Sequence, residues 1–183
     1  MNVLASPGQL RASVLRWALF TVPACVLLGF LAGNFAGGPN DPWFAALEKP
    51  AIYPPPAAFG IVWTILYVMM GLSLAMVCAA WGSRYRTPAI LAFVAQFVIN
   101  LAWTPVFFGA HQIAGGLAVI ATLIVALAVT MWFVFKVRRV AGWLLVPYMA
   151  WVLFATALNW QFLQLNPEAS GQDVSGASQR IAL

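Results

Sequence analysis

Ionised side chains occur in this chain only at intervals, and the gaps between them decide what it can fold into. No Asp, Glu, Lys or Arg lies between Arg16 and Asp41, between Lys49 and Arg84, between Arg86 and Lys136, or between Arg139 and Glu168. A helix needs about 20 predominantly apolar residues to cross a bilayer. The first, second and fourth gaps each hold one such span. The third is too long for one and fits two, broken at Phe108-Gly109-Ala110-His111-Gln112. The spacing predicts helices at 15–34, 60–81, 88–108, 113–135 and 142–164. Composition agrees: 63% of the 183 residues are hydrophobic and 7% charged, against about 25% charged in a soluble domain, and the mean hydropathy is +0.91. The expected fold is therefore all-α, an integral membrane bundle of five transmembrane helices over 15–165 with a short N-terminal segment, 1–14, before it. From residue 166 to 183 Glu, Ser, Gly, Gln and Asp replace the apolar residues, which predicts a disordered tail.

The formal charge of +5 could suggest a nucleic-acid partner, but the basic residues do not form one patch. The N-terminus and the second and fourth loops share one side of the bundle and hold Arg11, Arg16, Arg84, Arg86, Lys136, Arg138 and Arg139. The other side holds Lys49 and Arg180. This bias predicts a cytoplasmic N-terminus and an exported C-terminus in a multi-pass protein whose first partner is the lipid bilayer, with no nucleic acid. Arg11 and Arg16 before an apolar run also resemble a signal peptide. The run is long for that purpose and no convincing cleavage site precedes Asn34, so a retained first helix is the preferred reading.

Polar and aromatic residues mark particular faces of the spans. Gln96, Asn100, Trp103 and Phe107 recur at spacings of four, three and four on the third helix. Trp63, Tyr67 and Gly71 line up on the second; Pro147, Trp151, Ala155 and Asn159 do so on the fifth, with Leu158 and Phe162 alongside. Amides are costly in hydrocarbon and face a partner helix or a cavity. Two readings fit these faces: a pocket for a flat apolar ligand, or an aromatic core with Asn100 and Asn159 joining helices. Pro105 and Pro147 each remove a backbone hydrogen bond and can open a helix locally. The first loop, 35–59, is rich in Gly and Pro, stiffened at Pro54-Pro55-Pro56, and is expected to act as a lid over one mouth of the bundle. On the fourth helix Ala118, Thr122, Ala126 and Thr130 repeat every four residues. That ridge is expected to pack inside the bundle, with a dimer contact as the alternative.

Several chemistries are set aside. Asp41, Glu48, Glu168 and Asp173 lie in the loop or tail, so no acid–base pair sits within a span. Cys25 and Cys78 read as small apolar core residues, the single His111 as incidental, and no metal site or set of catalytic residues is expected.

The chain resembles the tryptophan-rich sensory protein / translocator protein (TspO/MBR) family from about Gly33 to Asn166. The resemblance rests on Trp43-Phe44-Ala45-Ala46-Leu47-Glu48-Lys49-Pro50, the Pro54-Pro55 pair and Trp63-Thr64-Ile65-Leu66-Tyr67. It extends through Gln96 to Gly109 around Trp-Thr-Pro-Val-Phe-Phe-Gly, and Val146-Pro147-Tyr148 through Trp151 to Leu158-Asn159. It implies a five-helix protein, commonly a homodimer, here in a bacterial cell membrane, that binds a porphyrin such as protoporphyrin IX beneath the first loop and requires no cofactor. By matching position, it implies Trp63, Tyr67, Asn100, Trp103, Trp151, Ala155 and Leu158 as ligand-binding residues. The leading expectation is a receptor or carrier with a regulatory or stress-related role. The alternatives are a light-dependent porphyrin-degrading enzyme, with Trp151 and Trp103 as electron donors, and a small-molecule transporter. Two departures matter: Ile52 and Ala57 stand where the family usually has Trp on either side of the Pro-Pro pair. The family's sterol signature is broken at Trp160, so sterol binding is not implied.

Overall fold

The computed structural model describes residues 7–35 and 41–171, and among these the regular structure is helical. Five helical segments are long and apolar enough to cross a membrane. The first is α1, Pro7–Phe35. A five-residue helix, α2 (Pro42–Ala46), lies in the first loop. The second span is α3, Pro56–Cys78, and the third is α4, Arg86–Thr104, continued by a π-helical turn, Pro105–Gly109. The fourth is α5, Ile113–Val137. The fifth is split into α6, Arg139–Leu144, and α7, Val146–Leu165.

The boundaries differ from the sequence expectation where prolines and caps decide them. The first helix already includes Pro7, inside the segment assigned to 1–14. The second begins at Pro56, since proline suits a first helical position, and stops at Cys78, whose carbonyl accepts from Arg86 Nε at 2.9 Å. Pro105 has no N–H to give Leu101, and the turn that follows is closed by an i→i+5 bond, Ala110 N to Pro105 O at 2.8 Å. Pro147 likewise cannot donate to the Trp143 carbonyl, and the fifth span breaks at Leu145.

α1 packs along α3, α4 along α5, and α5 along α7. The close approach of α1 to α3 depends on Gly71: a Cβ there would lie 2.6 Å from Val22 Cα, and Thr21 Oγ1 donates to Gly71 O at 2.7 Å. Consecutive helices are not always close neighbours, because α3 touches α4 only lightly. Met70, Phe93, Leu123, Leu127 and Tyr148 fill the core between helices, and Cys25 and Cys78 are buried and free.

Two expectations change. The ridge on α5 does not pack inside along its length: Ala118 and Thr122 are exposed, and only Thr130 is buried. Leu123 and Leu127 fill the interior instead, while the Thr122 hydroxyl bonds the Ala118 carbonyl of its own helix and needs no partner. The chain also stays structured past residue 166. Asn166 donates to the Phe162 carbonyl, and Pro167–Ala169 forms a 3-10 turn tied back to the first loop. The remainder of the tail, 172–183, and loop residues 36–40 lie outside the described residues.

Candidate functional site

A cavity of about 1040 Å³ opens between the helices beneath the first loop. All seven residues singled out in the sequence line it: Trp63 and Tyr67 from α3, Asn100 and Trp103 from α4, and Trp151, Ala155 and Leu158 from α7. They converge because each is about a helical turn from the next on its own span, and regular helix is interrupted at Pro105 and at Leu145. Pro147 is the exception on the fifth-helix face. It is exposed on the outer surface and does not line the cavity.

The walls are flat and mostly apolar. Trp63 stacks on Tyr67 with ring centroids 5.4 Å apart, and Trp103 on Phe107 at 4.8 Å. Ala155 leaves space between these surfaces. Polar groups within the walls are held by one another. Tyr67 Oη donates to Asn100 Oδ1 at 3.2 Å, and Trp103 Nε1 donates to Asn159 Oδ1 at 3.3 Å. Asn159 Nδ2 donates to Ile113 O at 2.9 Å, and Tyr148 Oη to Gln96 Oε1 at 3.1 Å. Among the described residues, two buried donors have no protein acceptor: Gln96 Nε2 and Trp151 Nε1. Of these residues, Trp151 lines the cavity.

The sequence reading missed part of the wall. α1 contributes Gly29 and Phe30, the lid contributes Phe44 and Tyr53, and the first turn of α3 contributes Phe59. The available signal was the Gly29–Gly33 spacing of four, which marks a face of α1 able to accept a bulky neighbour. The Tyr67 ring lies against Gly29 so closely that an added Cβ would sit 2.2 Å from Cε2. Ile52 and Ala57, where loop indoles were expected, are exposed and outside the wall.

The first loop is seated by side chains that its own sequence supplies. Asp41 caps α2 by accepting from Trp43 N at 2.8 Å. That turn drives Trp43 and Phe44 into the bundle, where they are 2% and 4% exposed against Phe107, Phe108 and Phe162. Trp43 Nε1 donates to Ala169 O at 3.1 Å, and Asn166 pairs with both the N–H and the C=O of Glu48, at 2.8 and 3.0 Å. His111 is structural rather than incidental: held at φ 53°, it stacks on Trp43 at 4.6 Å and lies 3.6 Å from Asp41. Lys49 closes α2 from the other end, its Nζ donating to the carbonyls of Phe44, Ala45 and Leu47. Burial lowers the Lys49 pKa and raises that of Tyr53, so the lid phenol stays neutral.

Comparison with known proteins follows the same outline. Residues 21–165 match the TspO/MBR family. The chain is similar to a tryptophan-rich sensory protein of Cereibacter sphaeroides, 39% identical over 158 residues, covering 84% of this chain and 96% of that one. It is 38% identical over 144 residues to the tryptophan-rich protein TspO of Chlorobaculum tepidum, covering 78% and 91%. It is 34% identical over 134 residues to the human translocator protein, covering 72% and 79%.

Proposed function

The chain belongs to the TspO/MBR family, and on that premise we propose that it is a membrane receptor or carrier for a flat, largely apolar ligand of the tetrapyrrole class. Protoporphyrin IX is the representative ligand. The observation that carries this reading is the cavity itself. Its volume of about 1040 Å³ stands at the top of the roughly 300–1,000 Å³ range of small-molecule sites. Its opposed walls are indole and phenol rings, which suit a planar macrocycle. Asn100 and the Trp151 N–H supply the few polar groups that orient a ligand in such a site.

In the cell the protein lies in a bacterial membrane with its N-terminus in the cytoplasm and the lid on the exported side, as the distribution of Lys and Arg supports. The outward-facing Ala118 and Thr122 of α5 give a second copy a surface for close approach, which supports a homodimer.

Titrating protoporphyrin IX into the purified protein in nanodiscs, read by quenching of indole fluorescence, tests the ligand assignment. Asn100→Ala and Trp151→Ala should each weaken binding by about tenfold, equivalent to ~1.4 kcal/mol, with the helical content unchanged. Ala155→Phe should fill the slot and abolish binding. Unchanged affinity in all three variants would remove the assignment.

A second reading, light-driven degradation of the bound porphyrin, is favoured by one observation: Trp63, Trp103 and Trp151 all line the space the macrocycle would occupy. Illumination of the complex separates the two. Loss of the Soret band that depends on Trp151 supports the enzyme, and a stable Soret band supports the receptor or carrier.

A further inference from the structure

The cavity and a recess on the outer surface share one lining residue. On the outer surface between α3 and α7 lies an apolar recess of about 420 Å³, formed by Val62, Ile65 and Met69 on one side and Pro147, Ala150 and Phe154 on the other. Trp151 lines both this recess and the cavity. The recess has a cause in the backbone. Ser73 Oγ donates to Ala141 O at 2.9 Å and ties α3 to α6. The helix then breaks at Leu145, because Pro147 cannot donate to the turn before it. Beyond the break α7 touches α3 only sparingly. The two spans are joined at the basic end and parted toward the lid.

The lid end is closed differently. Among the described residues, Trp43 bonds the Ala169 carbonyl, Asn166 pairs twice with Glu48, and His111 stacks on Trp43. Entry past α2 would break these contacts. The Trp151 ring is half-buried against the core and meets Phe59 at 5.9 Å and Phe154 at 5.3 Å. Among the described residues its buried Nε1 has no acceptor, so no hydrogen bond there fixes the indole in place.

We propose that the ligand enters the cavity sideways from the hydrocarbon of the bilayer, through the slit between α3 and α7, with Trp151 as its door. The inference rests on the ligand-binding reading given above and adds the route. An apolar macrocycle partitions into the membrane before it meets the protein, so the recess presents the first complementary surface it reaches. The orphan indole N–H then offers an acceptor on the ligand its first hydrogen bond as the ring turns aside.

The test uses protoporphyrin IX with the full chain in nanodiscs and stopped-flow fluorescence quenching. Ala150→Trp plugs the recess from α7 and Ile65→Trp from α3; both positions face outward and neither lines the cavity. Association and dissociation rates should both fall, by about tenfold, with the Kd unchanged, because a barrier residue that does not touch bound ligand alters both rates alike. Trp43→Ala, which loosens the lid at a residue that does not itself line the cavity, should leave the association rate at the wild-type value. Wild-type rates in both plugged variants, or faster association in the loosened-lid variant alone, would overturn the route. Absence of protoporphyrin binding in the wild-type protein would instead overturn the ligand reading on which the route depends.

Discussion

Asn159 uses both ends of its amide in the interior of the bundle: Oδ1 accepts from Trp103 Nε1 and Nδ2 donates to the Ile113 carbonyl. It thereby fixes the plane of one indole wall and anchors the start of α5 to α7. Replacing it with leucine keeps the volume but leaves the Trp103 N–H without its acceptor and removes the tie to the Ile113 carbonyl. Each such orphan costs about 1–3 kcal/mol in proteins generally, and interhelical bonds in membranes fall at the lower part of that range. Asn159→Leu should therefore lower the midpoint of denaturant unfolding in micelles and free the Trp103 ring. A midpoint equal to the wild type would show that the bond contributes nothing. Gly29 is the complementary case, where the absence of a side chain is what the site needs. Gly29→Ala must push the Tyr67 ring away, since the new methyl would lie 2.2 Å from it. The Tyr67–Asn100 hydrogen bond moves with the ring. Overpacking of this kind costs about 1–3 kcal/mol, and porphyrin affinity should fall along with stability.

Among the elements, the lid and the broken fifth helix decide how the cavity is closed. The lid docks chiefly through Trp43 and Phe44, because a five-residue helix cannot hold itself together without tertiary contacts. Trp43→Ala removes a buried indole, one hydrogen bond and the stack on His111. Loss of a large buried aromatic costs about 3–5 kcal/mol, which here falls on lid docking more than on the bundle. Hydrogen exchange should accelerate at residues 43–53 while α4 and α5 remain protected. Uniform acceleration through all helices would show that the lid is an integral part of the core. The break before α7 has the opposite character, being enforced by a missing donor. Pro147→Ala restores an N–H able to reach the Trp143 carbonyl, allowing α6 and α7 to run on as one helix. Straightening should bring α7 nearer α3, narrow the recess and slow porphyrin association with little effect on the final affinity.

For the molecule as a whole, what the sequence revealed follows from its solvent. In water, hydrophobic periodicity separates inside from outside; in lipid both faces are apolar, so that contrast disappears. Leu19, Phe20 and Leu15 are 79%, 72% and 65% exposed, and nothing in their type distinguishes them from buried Leu123 or Phe93. Only residues that lipid disfavours carried orientation. Gln96, Asn100 and the indoles placed the inward faces of α3, α4 and α7 and hence all seven wall residues. The wall from α1 is Gly and Phe, and the ridge on α5 is Ala and Thr, so neither bore such a mark, and only the Thr130 end of the ridge faces inward. The turn of α2 was hidden inside a Pro- and Gly-rich loop whose composition suggested extended chain, although Asp41 followed by Pro42 is a helix start. Charge is the other property lipid sorts, and it gives the prediction at this scale. Arg84, Arg86, Lys136, Arg138 and Arg139 gather at the end opposite the lid, where Arg86 lies over Trp81 and Lys136 over Trp132. Basic residues flanking spans stay on the cytoplasmic side, with aromatic rings at the interface. Cys25 and Cys78 are buried, so a cysteine introduced at exposed Ala51 or Thr87 should report sidedness against a quiet background. In intact bacterial spheroplasts a membrane-impermeant maleimide should label Ala51→Cys at once and Thr87→Cys only after permeabilisation. The reverse pattern would place the lid in the cytoplasm and show that the positive-inside bias does not set this protein's topology.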